Sequence, residues 1–325
     1  MSEGGGRRRL RSTFDSDFPS GGSVAAPVLM WLSLAAIAII LAGIVGHVLK
    51  VRQATYDAAA AQSRVATDLL SQNAGRLLDS ADFLVETVRE RVAGRDWAAI
   101  AADRALWQSL RADAARFAHV DAVWLNDADG QLRLVSHAFP APSSDASDRD
   151  FYRHFADSDD VGPYVSSPLV GRVTQVPTFL LTRRIAPADG GDMAGIVSVT
   201  LDSAFFASFL QTFALPYNAS MALVRHQGDV LVAMPPSTAE DVRDDVLAVA
   251  VPGAVLARID DDEQIGWVRS LEQWPLYAVV RFDRAAVDAV WIEAVTPYAV
   301  TGGLALLSLM VLAALAYAAE RRRPE

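Results

Sequence analysis

Cysteine is absent from all 325 residues, so neither a disulfide nor a thiolate-bound metal can hold or equip this chain. An apolar core must do the holding, and a composition that is 52% hydrophobic suffices to build one. Basic charge is scarce as well. The formal net charge is −10, which argues against a nucleic-acid partner, because neutralising a phosphate backbone requires a basic surface. Lysine is nearly missing: Lys50 stands alone among 29 Lys and Arg residues. With the abundant alanine, that is a composition bias without a functional message.

Catalytic signatures are missing too. His47, His119, His137, His154 and His226 form no His-Glu-x-x-His pair or other zinc spacing. No Walker-type phosphate loop and no Gly-x-Ser-x-Gly nucleophile turn occurs. Asn126-Asp127-Ala128-Asp129-Gly130 imitates the opening of a calcium loop but lacks flanking helices and the closing acidic residue, so it reads as a hairpin turn. Asp260-Asp261-Asp262-Glu263 reads as a solvated turn, with a divalent-cation site as the alternative. The expectation is a chain that is not an enzyme and carries no cofactor or metal.

What the chain does have is two long uncharged apolar runs, Ala25 to Leu49 and Ala294 to Ala319. Each exceeds the roughly 20 residues that carry an α-helix across about 30 Å of hydrocarbon. Arg7, Arg8, Arg9 and Arg11 precede the first run, and Arg321, Arg322 and Arg323 follow the second, which places both ends in the cytoplasm. Lys50 and Arg52 oppose this orientation, while Asp283, Asp288 and Glu293 on the outer flank of the second run support it. A cleaved signal peptide is the alternative for the first run. It needs a shorter core and a small-residue cleavage site close behind, whereas Lys50, Val51 and Arg52 follow directly here. The expected location is a membrane, with residues 50–293 on its extracytoplasmic side.

Residues 1–24 are rich in Gly, Ser and Arg without apolar periodicity, the pattern of a disordered tail. Residues 25–49 form the first span. Over 50–94, Val51, Ala54, Ala58, Ala61, Val65 and Leu69 recur at helical spacing, Gly75 interrupts, and Leu77, Leu78, Phe83, Leu84 and Val88 resume, which predicts a stalk helix. Two readings of its faces stay open: packing on its own domain alone, or also on a parallel helix of a second subunit. A helix over 97–117 follows, and then the period drops to two. Strands over 120–125 and 131–136, a helix over 148–156, and strands over 178–185 and 195–201, joined by a turn at 187–192, make a membrane-distal unit over 95–203. A helix at 204–213 and strands at 220–225, 229–233, 265–270 and 277–282 make a membrane-proximal unit over 204–283. Residues 284–293 connect to the second span at 294–319, and 320–325 form a short cytoplasmic tail. The expected class is α+β: a long N-terminal stalk helix and two antiparallel-sheet modules flanked by two transmembrane helices.

The segment Ser147-Asp148-Arg149-Asp150-Phe151-Tyr152-Arg153, followed by Gly162-Pro163-Tyr164-Val165-Ser166, Leu181-Thr182-Arg183-Arg184-Ile185 and Gly195-Ile196-Val197-Ser198-Val199, resembles the double Cache sensor domains. These are two PAS-like modules on a long helix, set between the two transmembrane helices of bacterial receptors such as histidine kinases, diguanylate cyclases and chemoreceptors. The resemblance covers about 50–283, and it implies sensing without naming the signal. Amino-acid-binding members carry Arg-x-Trp-Tyr in the distal module, a later Tyr, and an Asp on the strand before the proximal module. Here Arg149, Phe151 and Tyr152 match the first motif with Phe in place of Trp, Tyr164 matches the later tyrosine, and Thr200 takes the Asp position, with Asp202 two residues on.

The resemblance therefore implies a ligand site of Arg149, Phe151, Tyr152, Tyr164 and Thr200. Arg149 can hold a carboxylate through a bidentate charge-assisted pair, aided by the hydroxyl of Tyr152 or Tyr164. Thr200 cannot offset a buried ammonium. The expected ligand is a small organic acid or another anion rather than a free amino acid. Structural roles stay open for the same residues, with Arg149 bridging loops and Tyr152 and Tyr164 as core aromatics. Trp124 reads as core rather than ligand wall, and Arg183 and Arg184 point to opposite strand faces, so at most one can face a pocket.

Only Glu320 to Glu325 follow the second span, with no room for a kinase, a cyclase or a methyl-accepting coiled coil. The expected function is a membrane-anchored extracytoplasmic small-molecule sensor that transmits binding across the inner membrane. Its partner is a second copy or a separate signalling membrane protein, since Ala38, Ala42, Gly46 and the Gly302-Gly303 pair allow close helix packing. The alternatives are the sensory fragment of a truncated histidine kinase or diguanylate cyclase, and a membrane assembly protein that binds no ligand.

Overall fold

Helix α1, Ala25–Val92, runs for 68 residues without a break in the computed structural model, which describes residues 25–172, 177–187, 193–250 and 254–321. Gly75, expected to interrupt the stalk, lies inside it, with open space where a Cβ would sit. A single helical glycine costs only about 1 kcal/mol relative to alanine, and packing of the helix on both sides outweighs that. The expected tail at 1–24, residues 188–192 of the expected turn, and 322–325 lie outside the described residues.

The chain divides into two units. One holds residues up to Val51 and from Glu293 onward, and so contains the apolar part of α1 and most of the last helix, α7 (Arg284–Arg321). Both helices are long and apolar enough to cross a membrane, with windows of mean hydropathy 2.4 and 2.2. Inside this unit the rings of His47 and Tyr298 lie 4.7 Å apart, and a Cβ at Gly302 would come within 2.6 Å of Ile44.

The other unit, Arg52–Ile292, is the folded domain. After the stalk come α2 (Trp97–Ala102) and α3 (Arg104–Ala114). The single helix expected over 97–117 breaks at Asp103, whose carboxylate accepts the Leu106 N–H at 2.8 Å and caps α3. The first sheet comprises β1 (Val120–Asp127), β2 (Leu132–Val135), β3 (Tyr164–Val165), β4 (Leu169–Val170), β5 (Pro177–Ile185) and β6 (Gly195–Asp202), with α4 (Asp150–Ala156) between β2 and β3. Its order is β2-β1-β6-β5-β3, with β4 also on β5, and all described pairs are antiparallel.

Helix α5 (Ser203–Gln211) leads to the second sheet: β7 (Ser220–Arg225), β8 (Val230–Met234), α6 (Ala239–Val249), β9 (Leu256–Asp260), β10 (Gln264–Ser270) and β11 (Leu276–Asp283), ordered β8-β7-β11-β10-β9. The class is α+β as expected. Helix α6 and strand β9 were not among the expected elements, although Val242 and Val246 stand one helical turn apart and are fully buried.

Strand alternation assigns the faces. On β1, β5 and β6, Val123, Leu125, Phe179, Leu181, Val197, Val199 and Leu201 point one way. They share a core with Leu70, Leu78, Leu84, Val85 and Val88 of α1, and Leu223, Leu276, Val280 and Phe282 of the second sheet join it. The stalk is thus one wall of both modules. Directed bonds fix its register: Arg183 holds Asp82 bidentately at 2.6 and 2.8 Å, Trp274 Nε1 donates to Asp79 at 3.0 Å, Arg269 to Asp68 at 2.7 Å, and Ser63 Oγ to the Val280 carbonyl at 2.8 Å.

Two neighbouring leucines separate core from surface. Leu70→Ala, at a fully buried position, should cost about 2–5 kcal/mol in denaturant unfolding, whereas Leu69→Ala, on the exposed side of the same helix, should cost less than about 1 kcal/mol. Equal losses would contradict this core. His119 gives a pH test. It is buried, with Nε2 3.0 Å from Ser80 Oγ on the stalk, and burial holds its pKa below the ordinary 6.5. Between 6.5 and that lower value only the unfolded chain takes up the proton, so stability should fall as pH drops through 6.5. His119→Gln should flatten that part of the stability–pH curve.

Candidate ligand site

The face of the first sheet turned away from the stalk is only partly covered. It presents Trp124 and Asn126 of β1, Leu132 of β2, Thr178 and Leu180 of β5, and Thr200 of β6. Ser144, Asp145 and Ala146, the first residues of the α4 segment at Arg149 and Phe151, and Leu169, Gly171 and Arg172 enclose a narrow cleft of about 60 Å³ over it.

The β1–β2 turn builds one wall. Asp127 Oδ1 accepts the N–H groups of Asp129 and Gln131 at 3.0 and 2.9 Å, closing the turn. Gly130 takes φ +79°, and a Cβ there would lie 2.8 Å from Ser147 N; only glycine lets the 144–147 segment approach. That segment then bonds like an added strand, with Ala146 N donating to the Gly130 carbonyl at 3.0 Å and Leu132 N to the Ser144 carbonyl at 2.9 Å. Asp145 is carried into the cleft wall as a result. Its carboxylate accepts the Ser147 N–H at 2.8 Å, which holds its pKa below the usual carboxylate value and keeps it anionic.

The opposite charge comes from Arg149, the residue preceding α4. Its Nη2 makes one long bond, 3.4 Å to the Val170 carbonyl, and it forms no ion pair among the described residues. Arg172 is already paired with Asp148. Thr200 Oγ1 accepts the indole N–H of Trp124. Ala122 lies directly opposite Thr200, so Trp124, two residues along, is its diagonal neighbour.

Of the residues expected to form the site, Arg149, Phe151 and Thr200 line the cleft, and Tyr152 and Tyr164 do not. Consecutive helical residues point about 100° apart, so Phe151 and Tyr152 cannot both face it. The Tyr152 hydroxyl donates to the Ala128 carbonyl. Tyr164 stacks on His154, with ring centres 4.2 Å apart, and its hydroxyl lies 3.2 Å from Asp150 Oδ2 and accepts from Arg225 Nη2 at 2.8 Å. Trp124, read as core, is instead half-buried cleft wall, because its strand face is the one the stalk leaves free. Neither Arg183 nor Arg184 lines the cleft. Asp260 of the acidic turn pairs with Arg258 and Arg284, and among the described residues no group of three or more His, Asp or Glu is placed to hold a metal ion.

No protein-family model and no curated protein matches the sequence. Solved structures do match. The extracellular domain of a protein named as a histidine kinase, rpHK1S-Z16, aligns with a TM-score of 0.58 at 27% identity, over 69% of this chain and 93% of that one. The chain has the fold of a Cache-type sensor domain. The same Cache-type fold is shared with the ligand-binding domain of the Pseudomonas fluorescens chemoreceptor CtaA in complex with L-isoleucine, at TM-score 0.52 and 16% identity over 74% of this chain and 98% of that one. The ligand-binding domain of the Campylobacter jejuni chemoreceptor Tlp3 in complex with L-valine aligns at TM-score 0.51 and 11% identity, over 73% and 97%. The two chemoreceptor neighbours are ligand-binding domains, and at such identities they share the fold alone with this chain.

The pairing of Trp124 with Thr200 is directly testable. Thr200→Val leaves the indole N–H without its acceptor and should lower stability by about 1–2 kcal/mol in denaturant titration. An unchanged midpoint would show that the bond contributes nothing.

Proposed function

We propose that this chain is a two-pass inner-membrane receptor subunit whose periplasmic Cache-type domain binds a small carboxylate-bearing metabolite in the cleft of the first sheet. The observation that carries the reading is Arg149, a guanidinium without an ion pair among the described residues, in the wall of a cleft otherwise made mostly of apolar and hydroxyl side chains. Such a group recognises a carboxylate bidentately. Phe151, Leu180 and Trp124 would pack on the rest of the ligand, and Thr200 would hold Trp124 in place.

The case for an organic acid over an amino acid rested on Thr200 standing where an acidic residue was needed. Asp145 in the same cleft wall weakens that case, because its anionic carboxylate can pair with an ammonium. The amino acids held by the two chemoreceptor neighbours point the same way. An α-amino acid is therefore the second reading, and Asp145 is the residue that favours it.

Transmission would use the helices at the two ends of the domain. α1 forms the shared wall of both sheets, and α7 begins at Arg284, immediately after β11 ends at Asp283. Closure of the cleft would shift these helices by about 1–2 Å, the scale of helix movements in switching proteins. Both termini would be cytoplasmic, and the output would pass to a second copy or to another membrane protein.

The test is a thermal-shift screen of the full chain in detergent with succinate, other short carboxylates, L-isoleucine and other amino acids. A true ligand at 100 times its Kd should add about 2.7 kcal/mol of stability. Arg149→Ala should abolish the response, and Asp145→Asn should abolish it for amino acids but not for simple carboxylates. A shift indifferent to Arg149→Ala would contradict the assignment, and silence across the panel would favour a protein that binds only other proteins.

A further inference from the structure

Arg225 stands on β7 of the second sheet, yet most of its bonds reach into the first module. Its side chain is 4% exposed. Nη2 donates to Tyr164 Oη at 2.8 Å, and Nη1 donates to Ser167 Oγ and Asp229 Oδ2, both at 2.7 Å. The guanidinium carbon lies 5.2 Å over the Tyr164 ring. Behind this layer sits Asp150, whose Oδ2 accepts the Ser167 N–H at 2.7 Å, lies 3.2 Å from Tyr164 Oη and 3.9 Å from Arg225 Nη1.

These partners are the supports of the cleft. Asp150 directly follows Arg149 and opens α4, the helix that also presents Phe151. Ser167 lies two residues before Leu169 of the cleft wall and three before Val170, whose carbonyl accepts the long side-chain bond of Arg149. A buried cation is a poor source of stability compared with an apolar residue of similar volume, and Arg225 Nε is buried without a hydrogen-bond partner among the described residues. What the planar guanidinium fork supplies is direction, because it holds several acceptors at fixed angles, as an ammonium cannot.

We propose that Arg225 is a positioning residue for the ligand cleft. From the second module it fixes the start of α4 and the 164–170 segment, and through them the aim of Arg149, so that occupancy of the cleft and the packing of the second module are coupled. Tyr164 belongs to this bridge rather than to the ligand. The proposal rests on the reading of the cleft as the ligand site.

The test is hydrogen exchange by mass spectrometry on the full chain in detergent, comparing wild type with Arg225→Met, Arg225→Lys and Tyr164→Phe. Arg225→Met should speed exchange at 150–156 and 164–170 by about tenfold or more while 120–135, on the far edge of the same sheet, changes less than about twofold. Arg225→Lys should restore only part of the protection, and Tyr164→Phe should reproduce part of the loss in the same two segments. If succinate or L-isoleucine stabilises the wild type, its Kd should weaken by about fivefold or more in Arg225→Met. Unchanged exchange at those segments, an equal rise at 120–135, or faster exchange with an unaltered Kd would overturn the proposal. If no probe stabilises the wild type, the ligand-site reading fails, and the exchange pattern alone still decides whether Arg225 positions these segments.

Discussion

Burial of one side of α1 against both sheets is the contact on which the rest of the domain depends. Without cysteine, the chain relies on apolar packing and directed bonds to hold two modules together. Leu70, Leu78, Val85 and Val88 each remove their side chains from water between the stalk and the strands, and each contributes about 1.5–3 kcal/mol by burial. Because the stalk takes one face of the first sheet, the other face is free to be roofed by α4 and the loops around it. The cleft exists on that face for this reason.

Inside the cleft the polar groups divide into those already engaged and those still available. Thr200 and Trp124 satisfy each other, and Arg172 is paired with Asp148. Arg149 has no ion pair among the described residues, and the Asp145 carboxylate is held by its own turn, so a cation and an anion line one cleft. The positions of both are fixed indirectly, Asp145 by the approach of Ser147 to Gly130 and Arg149 by the bonds that anchor α4 and the 164–170 segment. The site is therefore sensitive to residues that never touch it.

Much of this was legible in the chain. Two apolar runs, a stalk at helical spacing and a hairpin with Asp129-Gly130 in its turn follow from local periodicity, which depends on neighbouring residues alone. Of the residues that a resemblance to sensor domains singled out, Arg149, Phe151 and Thr200 line the cleft. Tyr152 and Tyr164 lie outside that lining for a geometric reason: a motif does not record that α4 turns Tyr152 towards Ala128 or that Arg225 draws the Tyr164 hydroxyl away. Asp145 could not be found by spacing, since a contact between a turn and a loop places it. Arg225 meets partners 58 and 61 residues away in sequence, a distance over which no periodicity carries information. Helix α6 is a different case, for its Val242 and Val246 pattern was present but short.

Occupancy of the cleft should be felt by the two apolar helices. The absence of native cysteine makes one measurement direct: Ile44→Cys and Gly302→Cys, neighbours within the helical pair, introduced together and oxidised in native membranes with and without a carboxylate or amino acid that stabilises the domain. A cross-linking rate that changes on ligand addition, and no longer changes in an Arg149→Ala background, is the predicted result. A rate indifferent to a ligand that demonstrably binds would contradict transmission through these helices.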